Sequence, residues 1–334
     1  MTKKVIAPWS SISRALGPPR RWRWSLTVRL SRRASREQTT ADKHHENLIF
    51  INIETNDQQG SSVYYHCIHA DSFSSFKLIK LARVRLPACI VLDIEGTTTS
   101  LRFIKDVLFP YIKRNLAKFL RERWHSEEVV ATLARLIRQE ERDVRDGLQP
   151  PKIWKLTETG DLNKIIDSIV SNVLWQMDMK RHNTALKQLQ ILVWVYGYEN
   201  NELKGHVYED VGHAFRKWRG MGIRLFVYST GMAVAQQLLF SNSTQGNLLN
   251  MIENYFDVLV GSKVLASSFK KIAYYMNVST AQVLFITDTP EEGKAAREAG
   301  CQVLLVQRPE NKRFTSSQSQ DFTVITTLSQ IEFH

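Results

Sequence analysis

Residues 88–99 read ACIVLDIEGTTT, and this stretch decides the fold class. Ala88 to Leu92 is a short, almost unbroken apolar run, the pattern of a strand buried on both faces of a parallel sheet. It ends in a carboxylate, Asp93, with Glu95 and Gly96 close behind. Two acids just past a buried strand are costly unless a cation shares their site.

Three similar runs follow. Gly222 to Tyr228 ends at Ser229-Thr230-Gly231, Ala281 to Ile286 ends at Thr287-Asp288, and Cys301 to Val306 precedes Gln307-Arg308-Pro309. Helical patterns separate them. In Tyr208 to Arg219, Val211, Ala214, Phe215 and Trp218 repeat at i, i+3, i+4, i+7. Ser267 to Met276 and Pro290 to Ala299 also read as helices, the second with Pro at its start and Gly300 past its end. Alternating strands and helices predict an α/β fold with a doubly wound parallel sheet. Such sheets bind ligands at the carboxyl ends of their strands, so the polar strand ends are expected to converge.

Between the first and second strands the pattern changes. Ile112 to Trp124, Glu127 to Glu140 and Leu162 to Asp178 are long and amphipathic, with no convincing strand. Residues 112–204 are therefore expected to form an all-helical insert placed as a lid, with Trp154, Trp175 and Trp194 in its core.

Composition narrows the class. Of 334 residues, 43% are apolar and 23% charged, which excludes a wholly disordered or collagen-like chain. No apolar run approaches the ~20 residues of a membrane span. Three cysteines, Cys67, Cys89 and Cys301, are too few for a disulfide scaffold and favour a reducing compartment. The net charge of +12 is concentrated in the first 86 residues, which carry 15 Lys and Arg against 6 Asp and Glu; the remainder carries 30 against 27. Residues 1–86 read as a basic, disordered extension in which no sheet is evident. An Arg-rich start poor in acids also fits a mitochondrial transit peptide, and Trp9, Trp22 and Trp24 among the arginines fit a nucleic-acid-binding arm. His66, Cys67 and His69 lack a second ligand pair at zinc spacing, so no zinc is expected there.

The strand ends carry a coherent chemistry. In this setting Asp93 is a candidate nucleophile toward phosphorus, and Glu95 a general acid and then base. Ser229 and Thr230 place hydroxyls and N–H groups ahead of a helix, a phosphate site. Lys263 is a candidate cation for the phosphoryl oxygens, and Asp288 would join Asp93 in holding Mg²⁺ through hard oxygens. A nucleotide-type Gly-rich loop is absent from the sequence, which argues against an ATPase. His206 and His213 read as solvated or packing residues, and Cys301 as inert.

Asp, then Ser/Thr, then Lys, then an acid at successive strand ends resembles the haloacid dehalogenase superfamily. The stretches ACIVLDIEGTTTSLRFIKDVLFPY (88–111), TALKQLQ (184–190), YSTGMAVAQQLLFSNSTQGNL (228–248) and GSKVLASSFKKIA (261–273) resemble the enolase-phosphatases of methionine salvage. The resemblance spans roughly residues 87–330. It implies a Rossmann-like core at 87–111 and 205–334 and a helical cap at 112–204. It also implies a monomeric, Mg²⁺-dependent enzyme of the cytoplasm, and also the nucleus, with no nucleic acid or membrane partner for the core. The implied reaction converts 2,3-diketo-5-methylthiopentyl 1-phosphate to the acireductone 1,2-dihydroxy-3-keto-5-methylthiopentene and phosphate through an aspartyl-phosphate. Carried over by position, Asp93 is nucleophile and metal ligand, and Glu95 is acid/base with its main chain near the metal. Ser229, Thr230 and Lys263 bind substrate, and Asp288 is a metal ligand. Another small-molecule phosphatase of the superfamily, or an inactive scaffold with a basic nucleic-acid-binding tail, are the alternatives. Which group abstracts the proton, Glu95 or a water, stays open. The stretch Thr289-Pro290-Glu291-Glu292-Gly293 departs from the family's usual Val-Thr-Arg-Glu-like sequence, so the residue supporting Asp288 is open too.

Overall fold

The computed structural model describes residues 24–30, 49–56, 62–67 and 78–80 as backbone and residues 81–334 in full. The chain divides into two compact units, residues 1–86 with 323–334, and residues 87–322.

In the first unit, Trp24–Leu30, Ile49–Asn56, Ser62–Cys67 and Leu78–Lys80 form a four-stranded antiparallel sheet in chain order. Trp24 lies opposite Thr55, and Ile53 opposite Tyr65. The sequence reading expects no sheet here, because these runs alternate too weakly to stand out. The residues before 81 that lie outside these four strands, and the side chains of His66, Cys67 and His69, lie outside the described residues. Ile331–Phe333 pairs in parallel with Ala82–Val84 in this unit.

The second unit holds β1 (Cys89–Leu92), α1 (Phe109–Arg123), α2 (Glu127–Arg145), α3 (Leu162–Asp178), α4 (Thr184–Glu199), α5 (Glu209–Gly220) and β2 (Arg224–Tyr228). It continues with α6 (Ala233–Ser241), β3 (Asn254–Phe256), α7 (Ala266–Tyr275), β4 (Val283–Thr287), α8 (Pro290–Glu298) and β5 (Gln302–Val306). Its five strands are parallel and lie side by side in the order β5-β4-β1-β2-β3. The central strand is the most hydrophobic because both its faces are covered: Cys89, Ile90, Val91 and Leu92 have no exposed surface. Register then sets the site. Leu92 pairs with Val227 on one side and Ile286 on the other. The next residues, Asp93, Tyr228-Ser229 and Thr287-Asp288, therefore leave the sheet at one edge.

Among the described residues no strand lies between Leu92 and Arg224. A π-helical turn, Phe103–Leu108, leads from the loop after β1 into α1. Helices α2, α3 and α4 have side-chain caps: Ser126 accepts from the Val129 N–H, Asp161 from the Asn163 N–H and Asn183 from the Leu186 N–H. α4 packs against α1, α2 and α6. Its apolar residues run nearly all round it, which hides a helical period. The core of this segment is aliphatic, including Ile112, Leu116, Leu120, Leu136, Ile166 and Val173. The three tryptophans are not in it, contrary to expectation; each is only half-buried. Trp154 lies between the ammonium groups of Lys152 and Lys164, 4.2 and 4.6 Å from its ring. Trp194 donates its indole N–H to the Leu108 carbonyl at 3.1 Å. Each has a polar or cationic neighbour that an aliphatic core would not supply.

Candidate active site

The loop after β1 is wound on itself. Gly96 has φ +75°, and the N–H groups of Thr97, Thr98 and Thr99 all point to the Ile94 carbonyl, at 3.2, 2.9 and 2.9 Å. The three threonines have no exposed surface. Thr97 donates its hydroxyl to Asp93 Oδ2 at 3.2 Å, and Thr98 donates to the Asp93 carbonyl, also at 3.2 Å. Arg308, from the loop after β5, donates to the Thr97 carbonyl at 2.9 Å and to both Asp210 oxygens at 3.1 and 2.9 Å. The linker returning from the helical segment is tied to the same loop: Ser100 donates its N–H to His206 Nδ1 at 3.1 Å, and Tyr208 donates its N–H to the Thr98 carbonyl at 3.1 Å.

Asp93 and Lys263 are in direct contact, the ammonium against Oδ1, and both are buried. Lys263 Nζ also lies 2.9 Å from Glu292 Oε2, whose carboxylate accepts a hydrogen bond from the Thr287 hydroxyl at 2.7 Å. Burial works against the charged lysine, but Asp93 and Glu292 outweigh it and hold the ammonium pKa above its ordinary value. Glu292 is pushed up by burial and by Asp93, against the pull of Lys263. Asp288 is raised to about 7 by burial and by the charge of Asp93. It accepts from the Thr289 hydroxyl at 3.1 Å and from the Asn311 amide at 3.0 Å.

A cavity of about 880 Å³ opens between this sheet edge and the helical segment. Glu95, Ser229 and Thr230 line its core side; Leu108, Phe109 and Trp194 line the other. Glu95 is exposed to it, yet surrounding protein and then Asp93 raise its carboxyl above the ordinary value, with Lys263 opposing. The Gly231 N–H donates to Ser229 Oγ at 3.4 Å, and α6 begins just beyond with no side-chain cap. Its first N–H groups are therefore available to an anion.

Thus Asp93 and Lys263 meet directly, Glu95, Ser229 and Thr230 share a cavity, and Asp288 leaves the neighbouring strand at the same edge. Among the described residues no three His, Cys, Asp or Glu side chains form a ready cage for a metal. The arrangement nonetheless fits Mg²⁺. The donors are hard oxygens, Asp93 and Asp288 repel one another, and Asn311 Oδ1 is buried without a partner. Magnesium takes one or two carboxylates and keeps waters. Sequence reasoning missed Glu292, Thr97, Arg308 and Asn311. The first two could have been found, each four residues past a motif acid; the last two lie more than 200 residues from the loop they bind.

The family model for haloacid dehalogenase-like hydrolases matches residues 87–300. An enolase-phosphatase E1 of Xenopus tropicalis is 42% identical over 245 residues, covering 73% of this chain and 94% of that protein. One of Salmo salar is 40% identical over 257 residues, covering 75% and 98%. The crystal structure of the UTR4 protein of Saccharomyces cerevisiae superposes with a TM-score of 0.58 at 25% identity, over 72% of this chain and 98% of that one. Fold, site and sequence agree: the chain belongs to the enolase-phosphatases, within the haloacid dehalogenase-like hydrolases.

Proposed function

We propose that this enzyme enolises 2,3-diketo-5-methylthiopentyl 1-phosphate and removes its phosphate, giving the acireductone. The observation that carries the reading is the buried Asp93–Lys263 contact, together with a largely apolar cavity lined by Ile94 and Glu95, which follow Asp93 in the chain, and by Ser229 and Thr230. Such a cavity suits a small ester with an apolar tail and an anionic head.

Ser229, Thr230 and the open start of α6 receive the phosphate. Lys263 pairs with Asp93 and offsets charge on the phosphoryl oxygens. A carboxylate oxygen of Asp93 then attacks phosphorus, the ester oxygen leaves with a proton from Glu95, and Glu95 afterwards takes a proton from the water that opens the aspartyl-phosphate. Glu95 is also the cavity's candidate for drawing off the substrate proton before dephosphorylation. Asp93, Asp288 and the main chain of Glu95 would hold Mg²⁺, which neutralises phosphoryl charge and polarises the diketone. Water is kept out by the helical segment, whose Leu108, Phe109 and Trp194 face the substrate's tail.

Borohydride trapping tests the nucleophile. Rapid quench during turnover followed by reduction converts an aspartyl-phosphate to homoserine, and peptide mass spectrometry locates it. Homoserine at position 93 supports the reading; turnover without it, or label at another acid, overturns it.

A further inference from the structure

Asn311 lies in the loop after β5, far in sequence from the residues of the motif. Its side chain reaches across the strand ends. Nδ2 donates to the Gly96 carbonyl at 2.8 Å and to Asp288 Oδ2 at 3.0 Å. The residue is 9% exposed, and its Oδ1 is fully buried with no hydrogen-bond partner. Turning the amide over would set Oδ1 against two acceptors, so the donors must face Gly96 and Asp288. The packing leaves no slack, because a Cβ on Gly96 would lie 2.2 Å from Asp288 Oδ2 and 3.1 Å from Asn311 Nδ2. The amide itself is held by its own backbone: the Asn311 N–H donates to the Arg308 carbonyl at 3.1 Å, and Gln307 donates to the Asn311 carbonyl at 3.3 Å.

One side chain therefore joins the loop bearing Asp93 and Glu95 to the carboxylate of Asp288. A buried amide oxygen left without a donor is rare in folded proteins unless a water or ion completes it. We propose that Asn311 is a positioning residue for magnesium binding: by tying Asp288 Oδ2 to the Gly96 carbonyl it fixes the orientation of that carboxylate beside the loop bearing Asp93 and Glu95. This rests on the magnesium reading above. Outer partners that orient metal-binding carboxylates commonly contribute 10–100-fold to metal affinity.

The test uses the full-length enzyme and two variants, Asn311→Ala and Asn311→Leu, the second keeping the volume while removing both hydrogen bonds. Isothermal titration with MgCl₂ in the absence of substrate gives the Mg²⁺ Kd, and circular dichroism confirms the fold. The expected result is a Kd raised about 10-fold or more, with kcat largely recovered at saturating magnesium and KM little changed. If the alanine variant fails to fold, the leucine variant carries the measurement. A folded variant whose Mg²⁺ Kd stays within about 2-fold of wild type overturns the assignment and leaves Asn311 a structural tie. A wild-type enzyme that turns over in EDTA and takes up no Mg²⁺ removes the magnesium reading itself, and this inference with it.

Discussion

Gly96 and Asp288 stand so close that a Cβ on Gly96 would lie 2.2 Å from the Asp288 carboxylate oxygen. The turn that carries the chain away from Asp93 is thus built around the acid on the neighbouring strand, and φ of +75° at Gly96 makes that approach possible.

Gly96→Ala should therefore act twice. The left-handed conformation costs an alanine about 1–2 kcal/mol, and the methyl group displaces Asp288. Activity should fall by about 10²-fold or more, as for a misplacement of about 1 Å at a reacting site. Steady-state kinetics and thermal unfolding check it; wild-type kinetics would show that Asp288 has room to move.

Asp93→Asn should remove turnover by about 10⁴-fold or more while the protein stays folded. Lys263 keeps Glu292 as its partner at 2.9 Å, and one of several crowded acids loses its charge. Substantial residual activity would take the nucleophile's role from Asp93.

Lys263→Met should destabilise the enzyme by about 3–5 kcal/mol, because buried Asp93 and Glu292 lose the cation between them. Added Mg²⁺ should restore part of the loss. A melting temperature equal to wild type in EDTA would mean that the two carboxylates are relieved some other way.

His206 gives a pH signature. Burial holds its pKa below the ordinary value, Arg308 pushing the same way and Glu310 opposing. The folded protein therefore binds fewer protons here than the unfolded chain, so this contribution to stability is complete above about pH 6.5 and is lost as pH falls below it. A protonated ring also could not accept the Ser100 N–H. His206→Asn should lower the melting temperature at pH 7.5 and lose less on going to pH 5.5 than wild type does. Parallel pH curves for the two proteins would contradict this.

The parallel strands β1, β2, β4 and β5 and the convergence of their polar ends were legible because buried parallel strands write themselves as unbroken apolar runs with polar ends. The three-residue strand Asn254–Phe256 is too short to show such a run, and α4 too uniformly apolar to show a period. Trp154 and Trp194 misled because an indole packs as readily beside an ammonium or a carbonyl as in a core. Glu292 and Thr97 follow motif acids at a spacing of four, whereas Arg308 and Asn311 reach the loop after β1 through tertiary folding that leaves no local pattern.

The most direct measurement is phosphate release from 2,3-diketo-5-methylthiopentyl 1-phosphate by the purified enzyme, with acireductone absorbance followed in the same cuvette, in Mg²⁺ and in EDTA. The account predicts magnesium-dependent release with one acireductone formed per phosphate. Release from generic phosphate esters but not from this substrate would contradict it, leaving a phosphatase of the same fold with a different ester.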